Sequence, residues 1–260
     1  ADTGDKVTIT GENFGTDPSD ISVSFNGTPA EFELVDESTI VATTPADYQT
    51  GSVTVTIHGY TMTGGAMFNP NSKGDVTVLY LQNYKQPFAK ANDESWKNGE
   101  WWTPAVWNQN AASFNAKGNT TVSGMQYKSE EGLTLAFQNG WDKEAYTNGK
   151  MWQVATLRPG KYRLEVTYAY TLVVTDAGNF ISVLIAKGDS ESDIPNVADL
   201  EQLNGVYVAY DKMGTANDSG TLVTPSFEVT ETTDVVIGFL TSLAKGNSYF
   251  KVTELKLILE

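Results

Sequence analysis

The 260-residue chain is 40% hydrophobic and only 19% charged, enough apolar sequence for a substantial core and too little charge for a disordered chain. Its 17 basic residues against 32 acidic ones give a net charge of −15, which opposes binding to nucleic acid and to an anionic membrane surface. With no cysteine and one histidine, the chain excludes thiol nucleophiles, disulfides, Cys-type zinc sites and multi-histidine metal sites.

Ala1-Asp2-Thr3-Gly4-Asp5 carries no basic or apolar signal region, and no run reaches the ~18 apolar residues of a membrane span. The chain reads as soluble in itself, with any membrane attachment made by a lipid anchor outside it. From there the dominant period is two. Residues 7–10, 21–25, 32–35, 39–42 and 53–57 are short strands rich in Thr and Val, each with one apolar face. Asp17-Pro18-Ser19-Asp20, Asn26-Gly27 and Thr50-Gly51 supply the turns between them. This spacing predicts a small sandwich. Up to position 70 it holds 10 acidic residues against the single Lys6, and so −9 of the net charge.

Residues 59–74, with Gly64-Gly65 and Asn69-Pro70-Asn71, read as a turn-rich boundary. The expected domains are 1–70 and 75–260. Beyond the boundary, strands are predicted at 76–81, 121–127, 133–137, 162–171, 180–186, 206–210, 221–229, 235–240 and 249–259, with helical turns only at 94–101 and 197–203. Nine or so strands over this length predict a larger jelly-roll sandwich, so the fold class is all-β.

All six tryptophans lie between positions 96 and 152. An indole covers the apolar C–H face of a pyranose, and about 100 Å² at about 25 cal/mol/Å² contributes roughly 2.5 kcal/mol before ordering costs. Trp96, Trp101 and Trp141 stand among Asn, Gly, Lys and Glu, in the polar, glycine-broken setting of binding loops. They are the candidate stacking platforms, with Asn98 and Asp142 as hydroxyl partners and Tyr146 as a lesser candidate. Trp107 and Trp152 read as core residues, and Trp102 reads either way.

No Glu-x-Asp-x-x-Glu run is present, and the sequence-adjacent Glu130-Glu131 would point apart on a strand. Asp142 and Glu144 could share one side of a strand but read as solvated. No catalytic pair is therefore placed, and the protein is expected not to be an enzyme. Asp189-Ser190-Glu191-Ser192-Asp193 offers three alternate carboxylates, as a calcium loop would, but lacks the glycine of such a loop and reads as a solvated acidic turn. No cofactor is expected, and structural calcium is the one metal this pattern leaves open. His58 ends the last strand of the small sandwich as a surface residue.

Gly11-Glu12-Asn13-Phe14-Gly15, Val23 through Ala30, Thr43-Thr44-Pro45 and Gly51 through Ile57 together resemble the IPT/TIG immunoglobulin-like domain. The remainder is similar to the C-terminal domain of uncharacterised function that follows such a module in surface lipoproteins of Bacteroidetes-type gut bacteria. Trp102 through Asn110, Asn148 through Gln153 and Leu157 through Tyr162 carry that likeness. It implies a galactose-binding-like sandwich acting as a surface glycan receptor in polysaccharide uptake, with an outer-membrane transporter complex among its partners. The expected role is thus non-catalytic capture of a poly- or oligosaccharide at the cell surface. The alternatives are a structural or adhesion protein that binds another protein and, last, a glycanase.

Overall fold

A computed structural model describes residues 1–69, 72–91, 101–114, 123–139, 145–173, 178–214, 218–244 and 248–260. The chain divides between Leu79 and Tyr80 into two compact units. The first contains β1 (Lys6–Thr10), β2 (Ile21–Phe25), β3 (Thr28–Ala30), β4 (Phe32–Asp36), β5 (Thr39–Thr43), β6 (Gly51–Ile57), β7 (Tyr60–Met67) and β8 (Gly74–Asp75). Two sheets, ordered β1-β5-β4 and β3-β2-β6-β7, make the predicted small sandwich. Alternation does the sorting. Ile21, Val23 and Phe25 of β2 and Val53 and Val55 of β6 enter the core with Phe14, Ile40 and Tyr48, and the residues between them are less buried.

Two hairpins are closed by residue pairs at positive φ. Asn26 (44°) and Gly27 (84°) join β2 to β3, and His58 (48°) and Gly59 (84°) join β6 to β7. His58 is exposed, with Nδ1 3.7 Å from the Asp20 carboxylate. The second hairpin revises the boundary reading, because β7 lies inside the stretch taken as turn-rich. Its Gly64-Gly65 pair, which looks like a breaker, forms a bulge opposite Val53. Residues 76–81 are likewise not a strand. The Asp75 carboxylate accepts from the Thr77 amide (3.0 Å) and hydroxyl (2.5 Å), and the chain turns helically over Thr77–Tyr80.

The second unit holds β9 (Trp101–Trp102), β10 (Asn108–Gln109), β11 (Ser123–Lys128), β12 (Gly132–Asn139), β13 (Tyr146–Leu157), β14 (Gly160–Tyr168), β15 (Phe180–Lys187), β16 (Val208–Lys212), β17 (Gly220–Val223), β18 (Phe227–Val229), β19 (Thr233–Leu243) and β20 (Ser248–Leu259). A smaller sheet runs β10-β13-β19-β15-β16. A larger one runs β17-β14-β20-β12-β11-β9, with β18 also on β14. They pack through aromatic rings. Phe239 of the smaller sheet lies 5.1 Å from Phe137 and 6.4 Å from Phe250 of the larger, and Tyr168 lies 5.4 Å from Phe250.

The smaller sheet is buried on its other face too, where Trp152, Leu184, Val236 and Leu240 meet Ile194 and Leu200 from residues 188–207. That double burial explains the unbroken apolar run Val183-Leu184-Ile185-Ala186. It also explains why β13 has no readable period: Asn148-Gly149 looks like a turn, yet the strand runs 12 residues with a bulge between Tyr146 and Gly149 and Asn148 at φ 55°. The predicted strand at 221–229 divides into β17 and β18 around Pro225. The predicted helical turn at 197–203 is present as Leu200–Leu203.

Candidate functional site

Trp96, Trp141, Asn98 and Asp142 lie outside the described residues. Trp101 does not offer the expected open platform: it is 3% exposed and sits in β9, paired with Gln126 of β11. The polar sequence around it predicted a loop. Pairing with a strand about 25 residues further on overrides that local signal, and nothing near Trp101 in the chain announces it. Trp102, opposite Met125, is also buried. Trp107 donates its Nε1–H to the Asn83 carbonyl (3.0 Å) and lies 5.7 Å from Phe239, a core position as expected. Trp152 is in the core as well. Tyr146 is buried, with its hydroxyl 3.1 Å from Thr241, and burial pushes its ionisation up.

An exposed aromatic side chain appears elsewhere, Tyr170, just beyond β14 and beside β20 of the larger sheet. In β20, Phe250 points to the core, so Tyr249 and Lys251 point away from it. Residues 169–172, continuing from β14, run antiparallel beside them. The Ala169 amide donates to the Lys251 carbonyl (3.0 Å), and Leu172 and Tyr249 exchange backbone hydrogen bonds of 2.9 and 2.6 Å. The Lys251 amide donates to the Thr171 hydroxyl at 3.1 Å. Across the strand, Gln138 faces Tyr249 and Ala136 faces Lys251, while Gly124 of β11 faces Ala136. Ala136, Gly124 and Lys251 are buried, so the middle of this face is closed to solvent, and its accessible part is the edge beside residues 169–172.

Tyr170 is 46% exposed and Leu172 is 41% exposed at this edge. Tyr170 also has φ 52°, a left-handed conformation that costs a bulky L-residue energy and recurs at functional positions. The buried Lys251 ammonium pairs with the Glu131 carboxylate and lies 5.2 Å from the Tyr249 ring centroid. Glu130, its neighbour, is exposed. This edge therefore combines an exposed phenol and an exposed apolar side chain, Tyr170 and Leu172, with the half-buried Tyr249 and Gln138. That set can stack on and hydrogen-bond to a polar ring compound. Sequence reasoning missed Tyr170 and Tyr249 because each was read only as a member of a strand's alternating pattern.

Two other polar clusters have structural work. Asn110 donates to the Asn148 carbonyl (2.8 Å) and to Glu191 (3.1 Å), while Lys150 Nζ donates to the carbonyls of Ile194 (2.6 Å) and Glu191 (3.2 Å). Burial lowers the Lys150 pKa, and Glu191 opposes that shift. These bonds hold residues 191–194 to β13. The Asp189–Asp193 run closes on itself: Asp193 accepts from the amides of Asp189 (3.1 Å) and Ser190 (3.0 Å), the Ser190 hydroxyl (2.6 Å) and the Tyr207 hydroxyl (3.1 Å). Gly188 is obligatory beside it, since a Cβ there would lie 2.2 Å from the Asp193 carboxyl carbon. Among the described residues no cluster of three or more metal-ligating side chains occurs.

The model of the family described as "Domain of unknown function (DUF5013)" matches residues 82–238, and that of the IPT/TIG domain matches residues 1–72. No curated protein matches the chain significantly. Among solved structures, a proposed glycoside hydrolase from Bacteroides thetaiotaomicron aligns over 89% of this chain and 83% of its own, at 11% identity and a TM-score of 0.43. The xylan-binding module CBM15 aligns over 59% of this chain and 96% of its own, at 13% identity and a TM-score of 0.32. The CBM22-1 xylan-binding domain from Paenibacillus barcinonensis aligns over 66% and 97%, at 12% identity and a TM-score of 0.33.

Proposed function

We propose that this chain, which belongs to the DUF5013 family and carries an IPT/TIG domain ahead of the DUF5013 region, is a non-catalytic glycan-binding protein of the cell surface. The observation that carries the reading is the edge where the exposed Tyr170 and Leu172 run beside the half-buried Tyr249 and Gln138. A sugar ring laid on an exposed phenol exchanges hydration for C–H contacts, and the flanking amide reads its hydroxyls. The net charge of −15 favours a neutral glycan over an acidic one. Capture would serve a polysaccharide-uptake system, with an outer-membrane transporter as partner and a lipid anchor outside this chain.

Binding rather than hydrolysis is favoured by the sequence, which carries no Glu-x-Asp-x-x-Glu run and places no pair of carboxylates across a sugar site. A second reading, a protein-binding adhesion module, draws on the burial of Trp101, Trp102, Trp107 and Trp152.

Calorimetric titration of the intact chain with soluble hexasaccharides of xylose, glucose, mannose and galactose separates the two. Measurable affinity for at least one, weakened about fivefold or more by Tyr170→Ala, is the expected result. Trp96→Ala and Trp141→Ala measure the contribution of the tryptophans singled out from sequence. Absence of binding across the panel, or affinity indifferent to Tyr170→Ala and Tyr249→Ala, would remove the glycan reading from this edge.

A further inference from the structure

The small sandwich carries a groove that plays no part in the glycan-binding reading. It has a volume of about 470 Å³ and lies between β1 and β7. Val7 and Ile9 of β1 form one wall, Met62 and Met67 of β7 the other, and Phe14 and Val55 lie beneath. This is within the range of about 300–1,000 Å³ typical of ligand pockets. Its walls are two sheet edges: among the described residues β1 pairs with β5 alone, and β7 with β6 alone. Each edge therefore presents an open row of backbone donors and acceptors.

Unprotected edges are normally blunted by lysine, proline or cover. Tyr60-Thr61-Met62-Thr63-Gly64-Gly65-Ala66-Met67 contains neither charge nor proline, and Tyr60 through Gly65 are all exposed. Its one irregularity is the Gly64-Gly65 bulge, which leaves the middle of that wall without side chains. The ring that lines the groove, Phe14, is 5% exposed, and the exposed Tyr60 stands at the far end of β7, outside the lining. The groove ends at Glu12, which also borders an adjoining hollow lined by Asp36 and Glu37.

From these features we infer that the groove receives an extended peptide segment of a partner protein. The segment would be apolar at alternate positions and carry Lys or Arg at the end beside Glu12. It adds as a strand along the β7 edge: backbone hydrogen bonds hold it, and alternate side chains enter the groove. Charge selects the occupant. With ten acidic residues and one lysine up to position 70, this unit repels a second copy of itself and attracts a cationic peptide.

The test uses the full chain and the synthetic peptide Lys-Lys-Thr-Val-Thr-Val-Thr-Val-Thr, with a version carrying Glu-Glu in place of Lys-Lys and a scrambled version without alternation. Affinity is read by calorimetry and the site by amide deuterium uptake over residues 60–67. The alternating Lys-Lys peptide is expected to bind and to slow exchange in that stretch at least fivefold, and the scrambled peptide is not. Met62→Lys, at an exposed wall position, should weaken binding about tenfold. Glu12→Lys should reverse the preference between the Lys-Lys and Glu-Glu peptides. Unchanged exchange over 60–67 with every peptide at millimolar concentration would overturn the inference, as would equal affinity for both charge versions. A concentration-dependent dimer that protects the same amides, or protection of them by one of the hexasaccharides, would overturn it in favour of another occupant.

Discussion

Replacing Tyr170 separates what a strained, exposed residue contributes to folding from what it contributes to binding. With 46% of the residue exposed, a sugar ring can cover about 90 Å² of an aromatic side chain that offers about 200 Å², a gross contribution of about 2 kcal/mol. Ordering of side chain and ligand offsets part of this, leaving about 1–1.5 kcal/mol, or about five- to tenfold in affinity. Tyr170→Gly and Tyr170→Ala should lose that equally. They should differ in stability, because at φ 52° a Cβ costs about 1–2 kcal/mol, while glycine's extra unfolded-state freedom returns about 0.5–1 kcal/mol. Tyr170→Gly is therefore expected to melt higher than Tyr170→Ala by about 0.5–1 kcal/mol while binding no better. Calorimetric melting and titration of the two variants give both quantities. Identical melting would mean that residue 170 carries no left-handed strain in solution, and full affinity in either variant would mean that its ring is not a platform.

Gly238→Ala should destabilise the larger unit by about 3 kcal/mol, about 6–12 °C in Tm, because its Cβ would lie 2.1 Å from the Met151 carbonyl oxygen and 2.8 Å from Trp152 Cα, backbone atoms that cannot turn aside. A loss below 0.5 kcal/mol, well under the roughly 1–3 kcal/mol expected of overpacking, would show that β13 and β19 separate more easily than this. Asp193→Asn should cost about 1 kcal/mol by weakening the bonds that close residues 189–193. The Asp193 carboxyl is held below its ordinary range, chiefly by the Ser190 hydroxyl, so its contribution is complete above about pH 4 and disappears as pH falls through its lowered folded value. Acid titration of stability should be flatter in the variant over that interval, and superimposable curves would contradict the assignment. Because the same carboxylate is already engaged by four donors, a chelator should leave Tm unchanged, and a calcium-dependent rise in Tm would contradict this account of the loop. For Lys150, whose folded pKa is lowered by burial, the unfolded chain binds more protons between the two values. Stability should therefore rise with pH through that alkaline window in the wild type and not in Lys150→Met, as urea titrations at several pH values would show.

The IPT/TIG sandwich was the most legible part of the sequence because its strands have one wet face. Ile21, Val23 and Phe25 alternate with serines, and Val53, Val55 and Ile57 with threonines, so burial and sequence carry the same period. The strand pattern of the larger unit was readable wherever one face met water, as in Tyr162, Leu164, Val166 and Tyr168 against Lys161, Arg163, Glu165 and Thr167. β13 was hidden for the opposite reason. It is covered on both faces, and the Asn148-Gly149 bulge imitates a turn.

Composition by itself determined that the chain is acidic and without thiol or multi-histidine chemistry, because those properties sum over residues, and the period-two pattern along the chain determined that it is all-β, because neither needs knowledge of which residues meet. Exposure is a property of meetings. Whether Trp101 is a platform or a buried strand residue depended on Gln126, and whether Tyr249 faces outward depended on Phe250 opposite Phe137. The open β7 edge likewise depended on β1 pairing with β5 and, among the described residues, not with β7. Only the tertiary structure decides such long-range pairings, since a strand's edge and outer face are defined by the neighbours it acquires and not by the residues it contains.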